Sequence, residues 1–392
     1  MGAPNNTVVG WQRKGLGAPA RSVAVVITSL SLLLLVIQAL NWPHTPYVAV
    51  KVRASLQAEQ QHGSAVSGDG PVNHPGSRTL AGTSVMFGAI GRDVANELPY
   101  VLANIARLAS HFRSAHIVFV ENNSQDDTRG VFKALGAAFT AGHSNRTAKL
   151  VSFESPSAKK NLHLLAEARN KYLEQLSLPE YAEVDFLIVV DTDMCWPWDI
   201  RNMVQIVNDL LPAAGSEWHA LYANGACGWE RDPLGPGKER VPPFTPGSIN
   251  VYCDLFALRD TSGAVHQRDK ANPNDIYLVP GTCDLSLMPK HSAATLACKQ
   301  LRGHAVLPVQ AAFGGWAMYE ARMLRPSNTS TACRHSTTAG GCEHISLSQC
   351  LVREHNASQV IATGLVMDWE GCSEKEQHTW DGWQPRQSST VA

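Results

Sequence analysis

An apolar run, Phe186-Leu-Ile-Val-Val190, ends in Asp191-Thr-Asp193. The run reads as a buried strand. Alternation along it turns Thr192 outward and lets Asp191 and Asp193 reach one cation or its ligand. Mg2+ and Mn2+ prefer oxygen ligands, and take one or two protein carboxylates together with a diphosphate. The competing reading is a pair of solvated turn acids, because a lone Asp-x-Asp is common by chance. Asp191 and Asp193 are therefore candidate metal-binding and catalytic residues.

Two further stretches carry groups that suit a diphosphate nucleotide. Val120-Glu121-Asn-Asn-Ser-Gln-Asp-Asp127-Thr closes a second apolar run. Its Asn, Ser and Asp residues favour turns and helix N-caps, while Glu121 at a strand end is able to accept hydrogen bonds from a ribose or base. Ala168-Arg169-Asn170 lies on a helical pattern before the Asp-x-Asp strand. Its guanidinium suits bidentate contact with a diphosphate, and the alternative is an arginine on a solvated helix face.

Cys333-Arg-His335 followed by Cys342-Glu-His344 has the residue types of a structural zinc site. With Cys350 and Cys372 nearby, disulfides are the expected fate in an oxidising compartment. The nine cysteines all lie between Cys195 and Cys372, and an odd number leaves one over, for which buried Cys195 is a candidate. Gly314-Gly315-Trp316 reads either as a tight turn with a core indole, or as a close backbone approach to a sugar with Trp316 and Tyr319 touching an acceptor. Asp254 and Glu320 are the candidate general bases, between which spacing does not choose.

These residues need strands and helices to position them. Thr83–Ile90, His116–Val120, Leu150–Phe153 and Phe186–Val190 read as strands, and Val94–Ser110, Thr128–Ala138, Leu162–Leu176 and Ile200–Leu211 as helices. Such alternation predicts an α/β fold with a mostly parallel, doubly wound central sheet, whose ligands bind outside the carboxyl ends of the strands. After Leu211 the pattern blurs into Gly/Pro-rich loops, with short strands near Val251–Leu258 and Val306–Ala311.

The chain of 392 residues has a net charge of -1 and 44% hydrophobic residues, an ordinary globular composition without the basic field that would hold nucleic acid. Val23–Leu40 is apolar enough for a transmembrane helix, and Arg13, Lys14 and Arg21 precede it. No acidic residue occurs before Glu59, so the positive-inside rule keeps the N-terminus cytosolic and predicts a lumenal remainder. A cleaved signal peptide or an organellar transit peptide are the alternatives. The expected organisation is a cytosolic tail (1–22), a signal anchor (23–40), a stem (41–80), a lumenal domain (81–372) and a C-terminal tail (373–392). Asn145, Asn328 and Asn356 stand in glycosylation sequons that a lumenal location would expose.

Taken in order, these elements resemble the GT-A class of glycosyltransferases over roughly Thr83–Trp369, a fold described as a Rossmann-type sandwich. Within it the chain is most similar to the fungal capsule-associated α-1,3-mannosyltransferase family, through ENNSQDDT, AEARN, FLIVVDTDMCWPWDI, YCDLFALRD and AAFGGWAMYEARML. The segment Gly341-Cys-Glu-His344-Ile is similar to the C-terminal histidine element of many GT-A enzymes. The resemblance implies donor binding by Glu121, Asn123, Asp127, Arg169 and Asn170. It also implies a Mn2+ or Mg2+ ion on Asp191, Asp193 and His344. The Asp-x-Asp is more acidic than is usual in the capsule family, so mannose is only a first expectation for the transferred hexose.

The expected function is metal-dependent transfer of a hexose from a nucleotide diphosphate sugar to a glycan or glycoprotein. The enzyme would sit in the Golgi or endoplasmic reticulum membrane as a single-pass type II protein. A non-catalytic carbohydrate-binding protein is one alternative, opposed by the intact Asp191, Asp193 and His344. A sugar nucleotidyltransferase is the other, and needs a basic glycine-rich loop where Gly88-Ala-Ile-Gly-Arg-Asp93 supplies one base.

Overall fold

A computed structural model describes residues 79–155, 162–195, 197–211, 218–229, 240–241, 249–252, 257–259, 261, 263, 306–326, 332–337 and 342–368. The chain divides into two units, Met1–Ser67 and Gly68–Ala392, and all described residues belong to the second. The expected anchor at 23–40 and the C-terminal tail lie outside them. Among the described residues no helix is long and apolar enough to cross a membrane. At the start of the described residues, Leu80 is buried in the core and its amide donates to Asn208 Oδ1 at 3.0 Å.

The described strands are β1 (Ser84–Gly91), β2 (Ser114–Asn122), β3 (Arg146–Phe153), β4 (Phe186–Asp191), β5 (Ala220–Trp229), β6 (Arg240–Val241), β7 (Ile249–Tyr252), β8 (Val306–Val309), β9 (Trp316–Glu320) and β10 (Gln359–Asp368). The helices are α1 (Leu98–Ala109), α2 (Thr128–Thr140), α3 (Leu162–Leu176), α4 (Ile200–Leu210) and α5 (Glu343–His355). The main path of the sheet runs β3-β2-β1-β4-β9-β5-β10-β8, and β6 and β7 pair with β5.

The half β3-β2-β1-β4 is parallel, as the alternating pattern predicts. The other half is mixed: β9 runs antiparallel to both β4 and β5, and β10 is parallel to β5 but antiparallel to β8. The sheet as a whole is therefore mixed rather than mostly parallel. A parallel pair needs a crossover of a dozen residues or more, usually a helix. Between α4 and α5 no α-helix occurs among the described residues, and the strands there pair largely antiparallel.

β1 and β4 are apolar on both faces because both faces are covered. Val85, Phe87 and Ala89 of β1 enter one core with Leu98, Val101, Ile105 and Leu108 of α1 and with Ile200, Met203 and Val207 of α4. Met86 and Ile90 enter the opposite core with Ala168, Tyr172, Leu173 and Leu176 of α3. Those α3 residues recur at helical spacing, which turns the same helix face, and with it Arg169, toward the sheet. Asp199 precedes α4 as its N-cap, its side chain accepting from Asn202 N at 3.1 Å.

Candidate active site at the carboxyl edge

The register of the parallel half sets Gly91 beside Glu121 and Ile90 beside Asp191, so the ends of β1, β2 and β4 share one edge. The loops after β1 and β2 are clasped together there. Asp93, with φ of 56°, accepts from Gln125 N at 2.6 Å, and its own amide donates to Ser124 Oγ at 3.2 Å. Asp126 accepts from Ala95 N at 2.9 Å and from Thr128 N at 3.0 Å. Asp126 therefore ties the start of α2, while the N-cap residue Asp127 makes no capping bond and is exposed.

Glu121 does not face the edge as a free acceptor. Its buried carboxylate accepts from Arg129 Nε and from Ser124 N, and these bonds hold its pKa below the ordinary value although burial acts the other way. Asn123, with φ of 51°, donates through Nδ2 to Ser155 O at 3.0 Å and joins the ends of β2 and β3. Both residues expected to bind donor thus build the wall of the site.

At the end of β4, Asp191 N donates to Gly315 O at 3.0 Å, which pins the strand end to the glycine turn before β9. Thr192, expected to turn outward, is buried, and its hydroxyl donates to Ile90 O at 2.9 Å. The strand stops at Asp191, so its alternation does not continue through the turn. Asp193 is exposed. The half-buried Glu97 has its pKa raised first by burial and then by the charges of Asp126 and Asp193, which places three carboxylates from three loops in one field.

Arg169 is 4% exposed and lies between two carboxylates. Its Nη2 donates to Asp191 Oδ1 at 2.8 Å and its Nε to Glu343 Oε1 at 3.1 Å. Burial alone would favour the neutral guanidine, but Asp191 and Glu343 outweigh it and raise the pKa well above the ordinary arginine value. The guanidinium also lies 5.0 Å from the centre of the Phe313 ring. Arg169 is thus neither on a solvated helix face nor open to a diphosphate. Asn170 clamps the backbone of His335, donating to its carbonyl and accepting from its amide, each at 2.9 Å, rather than facing a donor.

His344 stacks on Phe313 with 3.8 Å between centroids, and neither of its ring nitrogens has a hydrogen-bond partner among the described residues. Its Nε2 is 3.8 Å from Glu343 Oε1, too long for a hydrogen bond. Burial, then the charge of Arg169, hold its pKa well below the usual histidine value, so the ring is neutral. Among the described residues no three His, Cys, Asp or Glu side chains converge to hold a metal ion. Of the three expected ligands, Asp191 has its Oδ1 bonded to the Arg169 guanidinium, Asp193 is exposed and His344 is buried against Phe313.

The remaining expectations fall in several places. Trp316 and Tyr319 are fully buried core residues of β9, on opposite faces of the sheet. Glu320 pairs with Phe186 at the start of β4 and bonds Arg322, which puts it about 16 Å from the Asp191 end at 3.3 Å per residue. Asp254 and Asn328 lie outside the described residues. Asn145 and Asn356 are exposed; Asn145 donates to Arg113 O, and Asn356 ends α5 in the left-handed conformation.

Cys333 and Cys350 form a disulfide, which excludes a zinc site containing Cys333. Cys195 is also disulfide-bonded and is not the cysteine left over, while Cys342 is a buried thiol. No local pattern singles out Glu343 or Phe313. Glu343 lies inside the Cys342-Glu-His344 motif, and its pairing with a helical arginine 174 positions away has no local signal.

Several solved structures are similar in outline. One is the mannosyltransferase PcManGT of Pyrobaculum calidifontis, in complex with GDP-Man and Mn2+, at 12% identity over 85% of this chain and 70% of that one, with a TM-score of 0.40. Another is residues 1–349 of TarS from S. aureus, at 12% identity over 72% of this chain and 60% of that one, TM-score 0.35. A third is the glucosyl-3-phosphoglycerate synthase of Mycobacterium tuberculosis with Mn2+ and uridine diphosphate, at 16% identity over 40% and 50% of the two chains, TM-score 0.26. No curated protein matches the chain. Residues 84–355, more than half of the 392, match the family described as Cryptococcal mannosyltransferase 1. That span begins with β1, takes in the carboxyl edge and ends with α5, so the chain belongs to this mannosyltransferase family and is a glycosyltransferase.

Proposed function

We propose that the enzyme transfers mannose from a nucleotide diphosphate mannose to a glycan or glycoprotein acceptor, with the donor bound at the carboxyl edge of β1, β2 and β4. The observation that carries this reading is the placement of Asp191 and the exposed Asp193 at that edge, within the span that matches the mannosyltransferase family. A Mn2+ or Mg2+ ion needs only one or two protein carboxylates when a diphosphate and water complete its shell. The exposed Asp193, in the shared field of Asp126 and Glu97, fits that requirement, with Asp191 beside it. When bound, the ion would neutralise charge on the leaving nucleotide diphosphate.

The protein's own share is positioning. The clasp between Asp93 and the loop after β2 supplies a rigid wall, and the Asp191 amide is tied to Gly315 so that the strand end does not drift. Glu320 and His344 take no part in this reading. The described portion of the enzyme would lie in a Golgi or endoplasmic reticulum lumen behind a type II anchor at 23–40, a location supported by the Cys333–Cys350 disulfide.

The test is a panel of nucleotide sugars offered to the purified protein. Nucleotide diphosphate mannose should be consumed, with activity lost to a chelator and restored by Mn2+. Consumption of a different sugar alone, or full activity in the chelator, would overturn the reading. For location, glycosidase treatment of the expressed protein should increase its gel mobility, and an unshifted protein would sink the lumenal assignment.

A further inference from the structure

We propose that Glu343 is a positioning residue of the donor site, whose carboxylate balances the Arg169 charge and so leaves Asp191 a net anion at the carboxyl edge. The proposal rests on the reading of that edge as the donor site. Arg169, Asp191 and Glu343 form one chain of contacts, 2.8 Å on one side of the guanidinium and 3.1 Å on the other. The two carboxylates and one guanidinium sum to a single negative charge. Asp191 is 21% exposed at the edge, whereas Glu343 is 5% exposed and is reached only through the protein. The surplus charge is therefore felt where a cation would bind. Without it, Arg169 and Asp191 alone would sum to zero.

Nη1 of the guanidinium has no hydrogen-bond partner among the described residues, and the group is surrounded by the two carboxylates, the face of Phe313 and the buried Tyr172 beside it. Glu343 is itself firmly placed. It is the first residue of α5, where the helix dipole favours a carboxylate. Its carbonyl accepts from Ser346 Oγ at 2.8 Å and lies 3.2 Å from His335 Nδ1. His335 is clamped by Asn170, the neighbour of Arg169 on α3, and the Cys333–Cys350 disulfide joins this segment to α5. Glu343 and Arg169 are thus held by two routes to one another, which is the arrangement expected of a support rather than an incidental pair.

The test measures Mn2+ binding to the intact protein, from the paramagnetic resonance signal of the free ion, together with the melting temperature. Glu343→Gln keeps an oxygen acceptor for Arg169 Nε but removes the charge, and should weaken Mn2+ binding on the order of tenfold. Glu343→Asp should recover most of the affinity. The double variant Arg169→Gln/Glu343→Gln restores the single surplus charge on Asp191, and should bind Mn2+ more tightly than Glu343→Gln. If the single variant folds poorly, the double variant is compared with the wild type instead, and a tenfold weaker Mn2+ binding in the folded double variant overturns the proposal. Asp193→Asn is the reference. Reduced binding in Asp193→Asn with wild-type binding in folded Glu343→Gln overturns the proposal alone, as does a Glu343→Asp variant no better than Glu343→Gln. Undiminished binding in Asp193→Asn overturns the reading of the edge as the donor site, and the proposal with it.

Discussion

The His344 ring lies nearly flat on the Phe313 ring, with 18° between their planes. Both nitrogens of His344 lack partners among the described residues, so in this position the side chain contributes as an aromatic disc rather than as a polar group. His344→Phe should therefore hold stability within about 1.5 kcal/mol, as size-conserving core replacements do. His344→Ala should cost about 2–4 kcal/mol through the cavity it leaves. Denaturant titration checks both. Mn2+ affinity should be unchanged in His344→Phe, and a tenfold loss there would put a ring nitrogen on the ion after all.

Burial, and then the charge of Arg169, lower the pKa of His335 to about 3 and hold that of His344 well below the usual histidine value. An unfolded chain takes up these protons near the ordinary value of about 6.5. The unfolded state then binds more protons than the native state between about pH 6.5 and 3, so stability is full above that range and falls as the pH drops through it. The denaturant midpoint should decline between pH 7.5 and 5, before most carboxylates titrate. Over this range His335→Gln should lose less stability than the wild type. An identical slope in the variant would refute the assignment.

Arg169→Ala should unfold the site rather than merely weaken a ligand contact. It leaves Glu343 buried without the cation that faces it, a situation that costs about 3–5 kcal/mol. A melting curve should show the loss in the absence of any nucleotide. A variant that melts like the wild type but binds donor poorly would return Arg169 to a direct diphosphate contact.

Gly314 and Gly142 both have positive φ, 65° and 76°, but differ in their surroundings. A Cβ on Gly314 would lie 2.5 Å from Ala223 O and 2.8 Å from Gly225 N, whereas one on Gly142 meets nothing within 4 Å. Gly142→Ala should cost about 1 kcal/mol from backbone conformation alone. Gly314→Ala should cost clearly more and also displace the turn that pins Asp191, so activity should fall in the fraction that folds. Equal melting temperatures for the two variants would contradict this.

Much of the framework was legible in order along the chain. α3 spans Leu162–Leu176 as its periodicity predicts, and β1, β2 and β4 end within two residues of the expected points, because burial of one face repeats every few residues. The motifs ENNSQDDT, AEARN and FLIVVDTDMCWPWDI lie on or at the ends of those same elements, and so does the carboxyl edge with Asp191 and Asp193. β9, β10 and α5 were not legible: short strands in a mixed half have no strong period, and α5 follows a cysteine-rich loop. The roles of individual polar residues lay further out of reach. Whether Arg169 meets a ligand or a carboxylate, whether Trp316 and Tyr319 meet an acceptor or the core, and which cysteines pair all depend on neighbours far along the chain. Local spacing places a side chain on a face of its element. Only the packing of that face against α5 and β9 decides whether its charge is already neutralised and its surface already covered.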